Sequence, residues 1–507
     1  MKRLFRHLCA LCCGALLGAW APAQAADAAD RAAQQAREAA RADRHADAIA
    51  AFGRAVQAAP HRRPEWLQEW ADQHTWAGQL DEAIALYREA GATQDPVAQY
   101  RARLGMARAL SWAGRQSLAL AQYEALLRDL PLDAEARRGV GRVQSWRGRH
   151  REAAALMQEY LQDHPHDREA TVILAESLSW MGRADRAQSV LRAQLAADAD
   201  DARAAKLLKQ LENDSRQQTT FDWREFDQSD RLRIRDLSLA TQHPVALGRG
   251  HVGLHLRTTR FVPTAGTVSR IDVVRPSAQA RWRLNDDLEW NGRAGLDLID
   301  TTGSTGDHSR LVHDTYLTWW PSDLLRLDLG SSRWTFDSEE TLRKGLTATQ
   351  IKLSADLLPD ELTRWTVRVH SSRLSDSNRG DGWQFEAERR VRDVPRVHVG
   401  YRHNRYGFSL PGQSGYFNPA DYRSDELTLQ ASGRLPTGLR WQLGWATGLE
   451  KSRPGDERPI RSANARLTWE VSTQLAIEAA YDHSTSRTLS DGGFSRGIAR
   501  LTLQYRH

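Results

Sequence analysis

Apolar positions along this chain follow two different periods, and the change falls near residue 215. Before it, a unit of about 34 residues recurs with the spacing of paired amphipathic helices. After it, apolar and polar residues alternate strictly through short segments divided by turn residues. Leu325, Leu327 and Leu329 alternate with Arg326, Asp328 and Gly330; Leu439, Trp441, Leu443 and Trp445 alternate with Arg440, Gln442 and Gly444. Successive side chains of a strand point to opposite faces, so each segment predicts a strand with one apolar and one charged face. The chain therefore predicts α and β regions in separate domains: an N-terminal α-solenoid and a C-terminal antiparallel β structure.

The helical region is framed by four tryptophans, each followed by a glycine turn: Trp76 and Gly78, Trp112 and Gly114, Trp146 and Gly148, Trp180 and Gly182. A small residue recurs downstream at Ala83, Ala119, Ala153 and Ala187, and Pro60, Pro131 and Pro165 close several units. This pattern resembles the tetratricopeptide repeat, with about five copies between residues 29 and 201. The alanine lets two helices approach closely, and the glycine takes a turn conformation that a Cβ penalises. One unit cannot bury its own face, so the units must stack. The tryptophan stripe is expected to lie in the core between repeats, and the solenoid as a whole to bind a protein partner or guide a polymer.

Dividing the β region at its turns gives about sixteen strands, many of about ten residues or more. The turns alternate in length. Leu284–Asp287, Pro321–Asp323, Pro359-Asp360, Arg392–Pro395 and Pro436–Gly438 are short; Thr301–Ser309, Ser375–Gly382, Phe408–Ser424 and Ser452–Pro459 are longer. Long strands with two classes of turn predict a transmembrane β-barrel, apolar outside and polar inside. Trp319, Trp320, Trp334, Trp383, Trp469 and Tyr505 lie near strand ends, as interfacial girdles require. The alternation assigns Arg233, Arg235, Arg281, Arg283, Arg293, Arg326, Arg364, Arg368, Arg402, Arg440 and Arg466 to the lumen, with Glu289, Asp297, Asp328, Glu386, Glu388, Glu478 and Asp482. Charges on such a face tune what passes.

The first residues read as a targeting segment. Lys2, Arg3 and Arg6 precede an apolar run from Leu8 to Trp20 and an Ala23-Gln24-Ala25 cleavage signal. Cys9, Cys12 and Cys13 all lie within it, so the mature chain is expected to have neither disulfides nor thiolate chemistry. The domains are then 1–25 signal peptide, 26–215 periplasmic repeats and 216–507 outer-membrane barrel. A net charge of +6 on 507 residues gives no basic stripe for nucleic acid. Phosphate-binding loops, zinc-protease motifs and nucleophile elbows are absent, so no enzyme, cofactor or metal is expected. Glu339-Glu340 is a carboxylate pair on a loop.

Two loops carry a closer resemblance. Ser375-Asp376-Ser377-Asn378-Arg379 and Gly415-Tyr416-Phe417-Asn418-Pro419 resemble segments of the poly-β-1,6-N-acetylglucosamine export porins, which join periplasmic tetratricopeptide repeats to a sixteen-stranded barrel. The Tyr-Phe-x-Pro element also resembles the outer-membrane subunits associated with cellulose synthase. The resemblance implies export of an exopolysaccharide, with the repeats recruiting a periplasmic polymer-modifying or synthase-complex protein and the barrel wall facing outer-membrane lipid. Asp376, Asn378, Tyr416, Phe417, Asn418 and Pro419 then either contact polymer or fold the loops. A second reading is a non-transporting scaffold or surface receptor.

Overall fold

The computed structural model describes residues 26–507, apart from 229–231, 246–248, 264–269, 302–306, 414, 454 and 487–494. The targeting segment and its cysteines lie outside the described residues. The described residues form two compact units, divided between Leu174 and Ala175.

In the first unit, helices α1 (26–41), α2 (His45–Ala58), α3 (Arg63–Trp76), α4 (Leu80–Ala90), α5 (Pro96–Trp112), α6 (Gln116–Asp129), α7 (Ala134–Trp146) and α8 (His150–Asp163) form antiparallel pairs, and α9 (Arg168–Trp180) begins. The repeat frame explains the turns. Gly78, Gly114 and Gly148 sit at φ of 75°, 75° and 81°, which L side chains rarely adopt. Ala83, Ala119 and Ala153 are fully buried where paired helices cross. Asp95 and Asp133 cap α5 and α7 by accepting from the N–H groups of Val97 and Ala136. Tyr87 and Tyr123 fill the core, their rings lying against Gly105 and Gly139 of the next helix, where a Cβ has no room.

The second unit holds the end of α9, α10 (Ala184–Ala197), α11 (Ala202–Asp214) and sixteen strands from β1 (Gln218–Gln228) to β16 (Arg496–Arg506). The strands close in sequence order into one antiparallel barrel, with β1 paired to β16 from Gln218↔Arg506 to Gln228↔Arg496. Closure leaves no free edge, which removes the template that open sheets offer for aggregation. His507 extends the closure, its backbone N–H donating to the Gln217 carbonyl at 2.9 Å. Both ends of the barrel chain therefore meet at the short-turn end.

The other strands are β2 (Leu232–Val245), β3 (Gly250–Pro263), β4 (Ile271–Arg283), β5 (Leu288–Thr301), β6 (His308–Ser322), β7 (Leu325–Thr335), β8 (Thr347–Leu357), β9 (Thr363–Leu374), β10 (Arg379–Asp393), β11 (Arg396–Phe408), β12 (Asp421–Arg434), β13 (Arg440–Arg453), β14 (Glu457–Glu470) and β15 (Leu475–Ser484). Two of the expected long loops are half or more strand. β9 and β10 run to Leu374 and from Arg379, and β13 and β14 run to Arg453 and from Glu457. The polar composition of these segments belongs to strands continuing past the apolar belt, where both faces are wet.

The belt itself is plain. Leu237, Leu239, Leu254, Leu256, Leu296, Leu298, Leu329, Leu353, Leu427, Leu443 and Leu467 all sit on the outward face and are exposed. Trp319, Trp383, Trp469 and Tyr505 join this face, whereas Trp320 and Trp334 do not. Trp320 points inward under the Arg283 guanidinium at 4.5 Å, and Trp334 packs with Phe336 beside the loops.

Candidate functional site: the inner wall and a strap across it

The inner wall is a network of carboxylates clamped by arginines. Asp297, fully buried, accepts from Arg275 Nη2 at 2.8 Å and from Thr335 Oγ1 at 2.5 Å. Asp236 accepts from Arg257 Nη2 at 2.6 Å and Thr259 Oγ1 at 2.6 Å. Glu450 accepts from Arg458 Nε at 2.6 Å, Tyr422 Oη at 2.9 Å and Ser486 Oγ at 2.9 Å. Glu386 lies between Arg402 at 2.8 Å and Arg368 at 3.6 Å. Glu289 lies between Arg281 at 3.3 Å and Arg283 at 3.8 Å, Asp328 faces Arg326 at 3.0 Å, and Glu478 faces Arg466 at 3.4 Å. Glu388 accepts from Gln430 Nε2 at 3.2 Å. Arg293, Arg364, Arg440 and Asp482 share this inward parity.

Arg233 and Arg235 depart from the expectation. They share the outward face with Leu237 and Leu239 and pair with Glu225 at 3.3 and 3.5 Å. They lie beyond the belt toward the long-loop end, where the outward face is polar. The inward residue between them is Ile234, fully buried. Pattern reading also missed Arg224, Asp236, Arg257, Arg275, Glu450 and Arg458. Their signal was present, since their parity with neighbouring outward leucines and tryptophans is regular.

Ile234 is inward and apolar because something packs on it. The β7–β8 connection, residues 336–346, folds inside the barrel and carries helix α12 (Glu339–Lys344). Leu342 joins Phe226, Ile234, Phe261, Ile271, Val273 and Ile299 in one buried cluster. At its start, Asp337 pairs with Arg496 of β16 at 3.1 Å, seven strands away around the wall. At its end, Arg310 Nε donates to the Gly345 carbonyl at 2.9 Å. The segment is thus a strap anchored on nearly opposite sides of the lumen.

The strap's helix follows from its sequence. Ser338 caps it by accepting from Thr341 N–H, Glu339 pairs with Arg343 at 3.0 Å, and Glu340 pairs with Lys344 at 2.6 Å. Gly345 ends it at φ 61°. Glu339-Glu340 is therefore a first-turn acidic pair on a helix, with named partners.

The two loop motifs interlock against this strap. Asn378, fully buried, donates from Nδ2 to the Leu410 carbonyl and to Tyr416 Oη, both at 2.8 Å. Tyr416 donates in turn to Asp376 Oδ2 at 2.8 Å. Burial first, and then the Asp376 carboxylate, push the Tyr416 phenol above its ordinary range, which keeps it a donor. Asn418 Nδ2 donates to the Gln413 and Tyr416 carbonyls at 2.8 and 2.9 Å, and Phe417 packs edge-on against Tyr406 and Tyr422. Pro419 ends the loop, its carbonyl accepting from Phe408 N–H at 2.9 Å. Ser338 Oγ donates to the Gly415 carbonyl at 2.5 Å, and Phe336 lies 5.0 Å from the Tyr416 ring. With Asn378, Tyr416 and Asn418 buried and saturated by protein partners, these residues fold the loops.

At the opposite end, Arg186 of α10 pairs with Asp286 in the β4–β5 turn at 2.9 Å, Arg183 pairs with the same carboxylate, and Arg283 donates to the Met181 carbonyl. Gly182, at φ 74°, lies against the Arg283 guanidinium. Between these helices and the wall is a cleft of about 540 Å³ lined by Gln218, Gln242, Gln279, Arg281, Asn291 and Tyr316. A second space of about 600 Å³ along β8–β16 is lined by Gln384, Arg402, Asn404, Glu426, Asn464 and Asp482. Amides, hydroxyls and guanidiniums are the groups that bind hydroxyl-rich chains. Among the described residues no cluster suited to a metal ion is present.

The repeat frame contains one reversal. Trp76, Trp112, Trp146 and Trp180 are 36–75% exposed, so they lie on the surface and not in the inter-repeat core. The core role falls to the tyrosines and alanines. Trp76 and Trp112 touch, with ring centroids 5.4 Å apart.

Fold and site together define a closed sixteen-strand barrel preceded by tetratricopeptide-like helical repeats. Residues 147–211 match the tetratricopeptide repeat family. No curated protein matches the chain in sequence. Among solved structures, a bacterial polysaccharide outer membrane secretin is 11% identical, covering 58% of this chain and 99% of its own, with a TM-score of 0.47. OccK7 (OpdD) of Pseudomonas aeruginosa is 12% identical over 57% of this chain and 97% of its own, at 0.31. A thermophilic tetratricopeptide-repeat protein of Thermus thermophilus is 20% identical over 36% of this chain and 98% of its own, also at 0.31.

Proposed function

We propose that this protein is an outer-membrane export barrel for an exopolysaccharide, with its repeats in the periplasm. The single observation that carries the reading is the closed barrel with an exposed apolar belt outside and a charged, amide-rich wall inside. A soluble sandwich buries its apolar face; this one displays it. The two loop motifs resemble those of poly-N-acetylglucosamine exporters, but their residues are engaged in folding the loops, so the polymer's chemistry is read from the charge of the wall. Deleting the chain from its native cell is expected to leave polymer in the periplasm and strip it from the surface. Unchanged surface polymer, measured by extraction and sugar analysis, overturns the reading.

The exposed tryptophans support a binding role for the repeats. Trp112→Ala and Trp146→Ala leave the buried core intact, so the melting temperature should move by no more than a few degrees. Polymer secretion or capture of the periplasmic partner should fall several-fold, because truncating such anchors costs about 2 kcal/mol. Full secretion in the double variant means the row has no binding role.

The strap favours a second reading, a barrel held shut as a scaffold or receptor. Conductance after strap removal separates the two.

A further inference from the structure

Resting on the export reading, we infer that the polymer is a polyanion bearing carboxylates. The inner wall treats its two signs of charge differently. The side chains of Asp236, Asp297, Glu386 and Glu450 are only 0–12% exposed, each held by one or two guanidiniums. Those of Arg281, Arg368, Arg440 and Arg466 are 46–54% exposed. These four acids are built into the wall and these four arginines reach the lumen, while Asp314 and Asp482, inward acids whose side chains are also exposed, lie away from the short-turn end.

Four inward arginines gather at the short-turn end, whereas Arg368 lies mid-strand. Arg281 lies near the β4–β5 turn, Arg326 and Arg364 are each the second residue after a short turn, and Arg440 opens β13. Hairpins around much of the barrel thus place a guanidinium at the short-turn end. Arg364 is exposed and has no carboxylate within ion-pair distance among the described residues. Glu470, an inward acid at this height, is 43% exposed and held by Arg440 at 3.0 Å. Guanidinium binds carboxylate through two parallel hydrogen bonds and stays charged at every relevant pH. A wall of this sign concentrates a polyanion at the mouth and repels ammonium groups. It offers a neutral chain hydrogen bonds only. A partly deacetylated glucosamine polymer, which carries ammonium groups, fits it poorly.

The test is binding to the purified full-length protein, read by intrinsic tryptophan fluorescence. The probes are oligogalacturonate, neutral N-acetylglucosamine oligomers and chitosan oligomers of matched length, with monomeric galacturonate as control. At low ionic strength oligogalacturonate should bind at least about tenfold tighter than the others, and the preference should shrink as salt screens it. Arg364→Gln with Arg440→Gln should remove most of the preference while leaving the gel position of the unheated barrel unchanged. A preference for neutral or cationic oligomers overturns the inference and leaves the export reading standing. Binding of the monomer as tight as the oligomer overturns it in favour of a small-anion pore. Failure of every saccharide to bind overturns both.

Discussion

Replacing residues 337–345 by a short glycine–serine linker is expected to raise single-channel conductance in planar bilayers roughly tenfold, because a barrel of this strand number otherwise encloses an aqueous channel. The native chain should conduct little. Its strap is tied to β16 by Asp337–Arg496, to the wall of β1–β5 by Leu342, and to β6 by Arg310 on the Gly345 carbonyl. Removing it deletes α12 but no residue of the sixteen strands, so the barrel should keep its heat-modifiable gel position. The Ser338–Gly415 hydrogen bond makes the β11–β12 loop a partner of the strap. Deleting that loop alone should therefore open the lumen less than deleting the strap. A barrel that stays closed without its strap sinks the export reading and supports the scaffold.

The barrel was legible because its rule is global. An apolar outward face and a charged inward face repeat the same alternation on every strand, and turn length differs between the two ends of the barrel. Errors cluster where that rule stops. Arg233 and Arg235 are polar residues on an outward face that has already left the belt, so polarity no longer marks the lumen. Ile234, Phe261 and Ile271 break the alternation in the opposite sense because α12 covers them, and a contact between residues so far apart in sequence leaves no local trace. The segment expected as a loop at Glu339-Glu340 is a helix, and its cap at Ser338, two acids, two bases and terminal Gly345 are the local signal for it. Its place inside the barrel has no such signal. Among the repeats, Gly78 and its counterparts have a backbone signature that sequence displays. Trp76 and its counterparts do not, since a tryptophan at a fixed repeat position fits a core and a surface equally well.

The buried pair between β4 and β5, beside the start of the strap, should carry the largest single-residue effect. Asp297→Ala leaves Arg275 beside an empty space, without the carboxylate that holds two of its nitrogens. Stranding one member of a buried pair costs about 3–5 kcal/mol, although the partial exposure of Arg275 to the lumen places the expected loss at the low end. The same carboxylate accepts from Thr335, the last residue of β7 before the strap begins. The variant should therefore lower the temperature at which the barrel unfolds on a gel and also raise its basal conductance. Asp297→Asn retains an acceptor for Thr335 but loses the ion pair, so it should recover most of the closed state with only part of the stability. Arg275→Met combined with Asp297→Leu removes both charges and should regain stability without regaining closure, because Thr335 then has no acceptor. If closure and stability instead move together in all three variants, Asp297 acts only as a wall residue and the strap is held by its other anchors.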